Sequence, residues 1–256
     1  NFSLSRAHEK TGSQVSITQI IKIMASALAP AIGGVAASAL GINWIYGFAI
    51  GLQILATVPL LSGPEPMEKS PVRFSKLPFK KVWAHGAVNM ANATTTIAEV
   101  MIWPVFVFFL LPSYAGVGIL SSVIAIASIL TAFYVGKREA RKPRRYISEG
   151  VTMAGLSDAF RLLAENATHV FGVNFLGGVG NSLYFTPYMA TFYANADKVP
   201  RRAYIYFMDF AWHLAWALFF LLLYAVSFAL PDKETLMVGI ALAIPANFVI
   251  RKLPAL

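Results

Sequence analysis

The chain has no cysteine, which excludes disulfides and thiolate metal sites. Charge is also scarce: Asp, Glu, Lys and Arg make up 13% of the residues, where a soluble domain carries about 25%. Acid is scarcer than base, with 12 Asp and Glu against 21 Lys and Arg. The histidines His8, His85, His169 and His213 are scattered and no His-Glu-x-x-His occurs, so no metal centre is expected. No Gly-x-x-x-x-Gly-Lys-Ser/Thr loop is present to cradle nucleotide phosphates, so ATP-driven work by this chain has no support. Gly177-Gly178-Val179-Gly180 is not a nucleotide loop either, because no strand pattern precedes it. No secretory leader pattern occurs. Cofactor chemistry and an enzyme active site are therefore not expected.

What is present is apolar. Hydrophobic residues make up 57% of the chain. They fall into eight segments, at roughly 16–39, 43–61, 84–111, 115–135, 147–165, 168–192, 203–229 and 235–250. A membrane-crossing helix needs roughly 20 apolar residues, and most segments supply that length. The expected fold is all-α: a polytopic membrane protein with eight transmembrane helices. The segment 147–165 is the weakest, because it carries Asp158 and Arg161.

The connections alternate in charge. Arg6 and Lys10 precede the first segment. Lys69, Arg73, Lys76, Lys80 and Lys81 lie between the second and third, and Lys137, Arg138, Arg141, Lys142, Arg144 and Arg145 between the fourth and fifth. Lys198, Arg201 and Arg202 follow the sixth, and Arg251 and Lys252 close the chain. The intervening turns, around Gly41, at Pro112-Ser113-Tyr114 and at Asn166, carry no base, and Lys233 is the one exception on that side. Basic loops stay in the cytoplasm. The pattern predicts both ends of this chain and the 62–83 connection on the cytoplasmic side of the cell membrane. The net charge of +9 thus faces anionic lipid, and nucleic acid is not an expected partner.

The connection 62–81 is rich in proline (Pro64, Pro66, Pro71, Pro78) and reads as a linker. It divides the chain into 1–62, carrying two helices, a linker at 63–83, and 84–256, carrying six. Six helices make one bundle. Two look like the end of another whose first four helices would precede Asn1, so the chain is expected to be a fragment.

Two motifs carry a resemblance. The first segment contains Ala29-Pro30-Ala31-Ile32-Gly33-Gly34. It resembles the Gly-Pro-x-x-Gly-Gly packing segment in the fifth helix of the major facilitator superfamily, with Ala29 in place of the first Gly. The stretch Gly136-Lys137-Arg138-Glu139-Ala140-Arg141-Lys142 is similar to that superfamily's basic loop between helices eight and nine, without its Asp. The resemblance implies helices five to twelve of a transporter (a permease) that is monomeric when full length. It implies secondary active transport by alternating access around a midplane site between two bundles.

Polar and ionisable side chains inside a membrane are expensive and mark pathways or sites. In the third segment His85, Asn89, Asn92, Thr96, Glu99 and Trp103 recur every three or four residues, which puts them on one helical face. That face is expected to line a continuous polar cavity with Trp103 closing its outer end. The alternative is a stripe that hydrogen-bonds neighbouring helices. In the sixth segment Asn174, Asn181, Tyr184 and Tyr188 share a face, and Asn181 is expected on the same cavity.

Glu99, and the i, i+4 pair Asp209 and His213, are the candidates for handling protons. Asp158 and Arg161, at i and i+3, read as a structural ion pair, and Lys22 as a base snorkelling to the interface. The face Ala25, Ala29, Gly33 and Ala36 is expected to pack on the fourth segment. The expected function is transport of a small solute, with lipid as the surrounding partner. The alternative is a non-transporting membrane protein: an intramembrane enzyme, a lipid-handling protein or a structural subunit.

Overall fold

The computed structural model describes residues 11–62, 72, 74–135 and 143–252. Among these the chain is helical without strands. Eight helices follow one another: α1 Thr11–Leu40, α2 Ile42–Ser62, α3 Phe79–Leu110, α4 Tyr114–Val135, α5 Pro143–Arg161, α6 Ala167–Ala196, α7 Arg201–Ser227 and α8 Asp232–Ile250. The basic 136–142 motif (Gly136, Lys137, Arg138, Arg141, Lys142) and Lys69 lie outside the described residues, as does the side chain of Lys22.

Five of the eight helices (α2, α3, α4, α7 and α8) are long and apolar enough to cross a membrane, which is the build of a multi-pass membrane protein. In α1 the apolar stretch Ala27–Leu40 is shorter than a span. The other two, α5 and α6, carry many of the chain's inward polar groups and pack along each other. Their crossing is set by Gly150 and Gly180: a Cβ on Gly150 would lie 2.6 Å from the Gly180 carbonyl oxygen, so only bare backbone fits.

Helices α3 to α8 form the bundle. α3 packs against α7 and α8, α8 against α5, α5 against α6, and α6 against α4. Side-chain pairings give the directions. His85 meets Tyr204, and Val88, Ile147, Tyr188 and Ile250 share one apolar cluster. The start of α3, the start of α5, the end of α6, the start of α7 and the end of α8 therefore lie together. Lys80, Lys81, Arg144, Arg145, Arg201, Arg202, Arg251 and Lys252 consequently collect at one end of the bundle, with Lys233 at the other.

α1 joins the bundle through α4. Ala27 and Ala37 are buried, and the backbones cross so closely at Gly34 and Gly118 that a side chain on either would strike the opposite backbone. Ser38 Oγ accepts a hydrogen bond from the Ala115 amide, 3.0 Å, satisfying a donor in the first turn of α4. The expectation that α1 packs on the fourth segment thus holds, but with a rotated face. Pro30 and Gly34 face α4, whereas Ala25 and Ala29 are exposed and a Cβ on Gly33 would meet nothing within 4 Å. The reason is steric: the pair of adjacent glycines offers two close-approach faces, and Gly34 matches Gly118. Gly41, with φ of 90°, reverses the chain into α2, which is exposed along nearly its whole length.

Candidate functional site

α3 is interrupted at its centre by a π turn, Ala98–Ile102, with the Trp103 amide bonded back to the Ala98 carbonyl. Pro104 accounts for it. Proline has no N–H to offer, and its ring would clash with the carbonyl four residues earlier. Widening the preceding turn relieves that clash, and such π turns recur at functional sites. Glu99 sits within this turn.

The polar stripe of α3 does not line one continuous cavity. It forms a hydrogen-bonded seam. α3 and α6 run antiparallel, and side chains bridge them. His85 Nδ1 lies 3.0 Å from Tyr204 Oη of α7 and 3.3 Å from Asn195 Nδ2 of α6. Asn89 donates to the Met208 carbonyl, 2.7 Å, and accepts from Tyr188 Oη, 3.1 Å. Asn92 accepts from Tyr184 Oη, 3.1 Å. Asn181 donates to Glu99 Oε2. Trp103 Nε1 donates to Asn174 Oδ1, 2.7 Å, and Asn174 donates on to the Leu120 carbonyl, 2.6 Å.

The alternative reading of the stripe, hydrogen bonding to neighbouring helices, therefore describes most of it. His85, Asn89, Asn92 and Asn174 are buried, and Thr96 turns back onto the Asn92 carbonyl, 2.8 Å. Trp103 closes no outer end: it is 1% exposed and stacks on Phe106. The physical reason is that amide and phenol groups can satisfy one another without water, and buried polar groups must be satisfied.

The seam changes character at Glu99. Arg161 of α5 reaches the same level, 2% exposed, and is bound by Asp158 (Nη1 to Oδ1, 2.8 Å). Its Nη2 stands 3.7 Å from Glu99 Oε1, and its guanidinium carbon lies 5.1 Å from the centre of the Trp103 ring, within cation–π range. Asn247 of α8 donates to the other oxygen of Asp158, 2.8 Å. Gly177 makes room for the guanidinium: a Cβ there would stand 3.1 Å from Arg161 Nη2. A cavity of about 10 Å³, bordered by Thr95, Glu99, Asp158, Arg161, Asn181 and Asn247, lies at the centre. Several buried atoms around it have no hydrogen-bond partner: Glu99 Oε1, Arg161 Nε and Nη2, and Asn247 Oδ1.

Two carboxylates thus face one guanidinium. The ion pair Asp158–Arg161 is where its spacing put it, and Arg161 is shared with Glu99. Neither the approach of Arg161 to Glu99 nor that of Asn247 to Asp158 could be read from spacing, since these partners stand 62 and 89 residues apart in sequence.

Glu99 and Asn181 also form the inner wall of a second, larger space. A crevice of about 910 Å³ opens between α1, α2, α3 and α4. Its sides are apolar or small: Pro30, Gly33 and Gly34 of α1, Val105 and Phe108 of α3, Val117 and Ile124 of α4. Among the described residues that line it, Glu99 is the only charged side chain. The 29–34 motif therefore serves two surfaces, the α4 contact through Pro30 and Gly34, and the crevice wall through Ala29 and Gly33.

Asp209 and His213 are placed elsewhere. They lie on the outward face of α7 with side chains 66% and 65% exposed, 3.7 Å apart, and they touch neither the cluster nor the crevice. Among the described residues no group of three His, Cys, Asp or Glu could hold a metal ion. Compared with known protein families, characterised proteins and solved structures, the chain matches none.

Proposed function

We propose that this chain works as a secondary active transporter of the major facilitator kind, moving a small solute across the cell membrane by alternating access of two helical bundles. All eight helices cross the membrane in this reading, and the basic end of the bundle faces the cytoplasm. The observation that carries it is the position of Glu99: one carboxylate, in the middle of an apolar helical body, borders both a buried ionic cluster and a crevice of about 910 Å³. Ionisable groups at such depth are costly to keep and are kept for transport or coupling. A crevice in the range of roughly 300–1,000 Å³ suits a small organic molecule. Glu99 is the group proposed to exchange a proton during the cycle. The π turn that contains it offers a backbone segment with a softened hydrogen-bond ladder, where α3 can bend.

Counterflow in proteoliposomes tests this reading. Liposomes carrying the full-length protein and loaded with a panel of unlabelled solutes should accumulate trace label of the matching solute transiently, and protein-free liposomes should not. Chemical conversion of a solute or lipid, with no counterflow of any solute, would point to the enzyme or lipid-handling alternative and overturn the proposal.

A further inference from the structure

We infer that the crevice takes an amphipathic organic cation, seated with its positive charge at Glu99 and its apolar body along α3, α4 and α1. The inference rests on the transporter reading, whose substrate class it names. Three observations carry it. First, the cluster holds two carboxylates, Glu99 and Asp158, against one guanidinium, Arg161. With both acids ionised it has one negative charge in excess, and a monovalent cation cancels that charge.

Second, the two acids are not equally engaged. Asp158 is held at 2.8 Å by Arg161 and at 2.8 Å by Asn247. Glu99 accepts from Asn181 at one oxygen, while its other oxygen has only the long 3.7 Å approach of Arg161 and no hydrogen bond. The excess charge therefore resides at Glu99, the member that borders the crevice. Third, the crevice wall away from Glu99 and Asn181 is mostly apolar among the described residues, with Val105 and Phe108 on one side and Val117 and Ile124 on the other. A strongly hydrated inorganic cation would gain nothing there. A cation wrapped in apolar groups would bury them. Low dielectric around the carboxylate strengthens its attraction for the charge.

The probes are tetraphenylphosphonium and tetraphenylborate, which share a shape and differ in sign, measured in separate assays on the protein in lipid nanodiscs. Tetraphenylphosphonium should bind saturably at one site per chain, and tetraphenylborate should not. Glu99→Gln retains the side-chain shape and leaves the Asp158–Arg161 pair intact. It should weaken tetraphenylphosphonium binding by about tenfold or more.

Gly33→Phe projects a ring into the crevice from α1, and its Cβ has room because nothing lies within 4 Å of that position. It should abolish binding while thermal unfolding stays at the wild-type temperature. Equal saturable binding of tetraphenylborate, or unchanged affinity in Glu99→Gln, overturns the inference. So does a stoichiometric co-purified lipid that Gly33→Phe expels, which would assign the crevice to an acyl chain. Loss of binding on lengthening the chain at its N-terminus also overturns it, by assigning the crevice to protein. Counterflow of a neutral solute by protein that binds no tetraphenylphosphonium removes this inference and leaves the transporter reading. Saturable binding with no counterflow of any solute does the reverse.

Discussion

Two ionisable pairs within this helical body make a useful contrast. Asp158 and Arg161 are one helical turn apart on α5, nearly without exposure, 2.8 Å from each other, with Asn247, Trp103 and Glu99 around them. Asp209 and His213 are one turn apart on α7, two-thirds exposed, 3.7 Å from each other. In the first pair the charges have lost their water, so each depends on the other. In the second, the His213 ring nitrogen lies 2.9 Å from the Asp209 carbonyl of its own helix, and solvent or headgroups can replace the partner. An exposed ion pair contributes about 0–1 kcal/mol. Breaking a buried one leaves a charge without compensation and costs about 3–5 kcal/mol. The same local spacing therefore produces opposite energetic consequences, and the difference lies in what the other helices bring.

The largest effect should come from removing the shared cation. Arg161→Met keeps much of the length of the side chain and leaves Asp158 and Glu99 facing each other with no positive charge. A loss of about 3–5 kcal/mol is expected, measurable by reversible denaturation in mixed micelles. The double variant Arg161→Met with Asp158→Asn should recover much of it, because only one acid then remains. Failure of that rescue would mean the guanidinium acts by packing under Trp103 and not by charge.

A smaller loss should follow Trp103→Phe. An aromatic ring over Arg161 is kept, but the 2.7 Å bond to Asn174 disappears and a buried amide oxygen is left unpaired. That costs about 1–3 kcal/mol. Tyr188→Phe should cost less, about 0.5–1.5 kcal/mol, since the bond it removes is the longer one, 3.1 Å against 2.7 Å, and the ring itself is kept. Equal losses at the two sites would show that the seam behaves as one cooperative network, with no weaker neutral half.

Much of the architecture was legible without coordinates. Apolar length alone located α2, α4 and α8, expected at 43–61, 115–135 and 235–250 and found at Ile42–Ser62, Tyr114–Val135 and Asp232–Ile250. The alternating bases anticipated that Lys80, Arg145, Arg201 and Arg251 would share one end. Period also put His85, Asn89, Asn92 and Glu99 on one face. What period cannot say is what stands opposite that face. Water and a row of Asn and Tyr side chains from α6 satisfy the same donors and acceptors, so the seam and a wet channel look alike in sequence. The cluster was hidden for a related reason. Glu99, Asp158 and Asn247 come from three helices, and only packing joins them. Helical spacing likewise placed Asp209 beside His213 but carried no information on which side of α7 they lie.

The smallest effect belongs to that outward pair. Asp209 stands seven residues beyond Arg202, roughly 10 Å along the helix at 1.5 Å per residue. That depth keeps it near the basic end of the bundle, within reach of water and headgroups. Asp209→Asn removes the charge, preserves the volume and leaves the backbone carbonyl on which His213 Nδ1 rests, 2.9 Å away. Stability should change by less than about 0.5 kcal/mol, as for a surface substitution away from special features, and tetraphenylphosphonium binding should keep its wild-type affinity. Double-variant measurement makes the test sharp: Asp209→Asn with His213→Gln should show no interaction energy beyond the sum of the single changes. A coupling comparable to that of Asp158 with Arg161 would mean that this face of α7 is covered in the membrane by protein, since only a desolvated pair couples that strongly. The outward surface of α7 would then be an interface with helices that this chain does not supply.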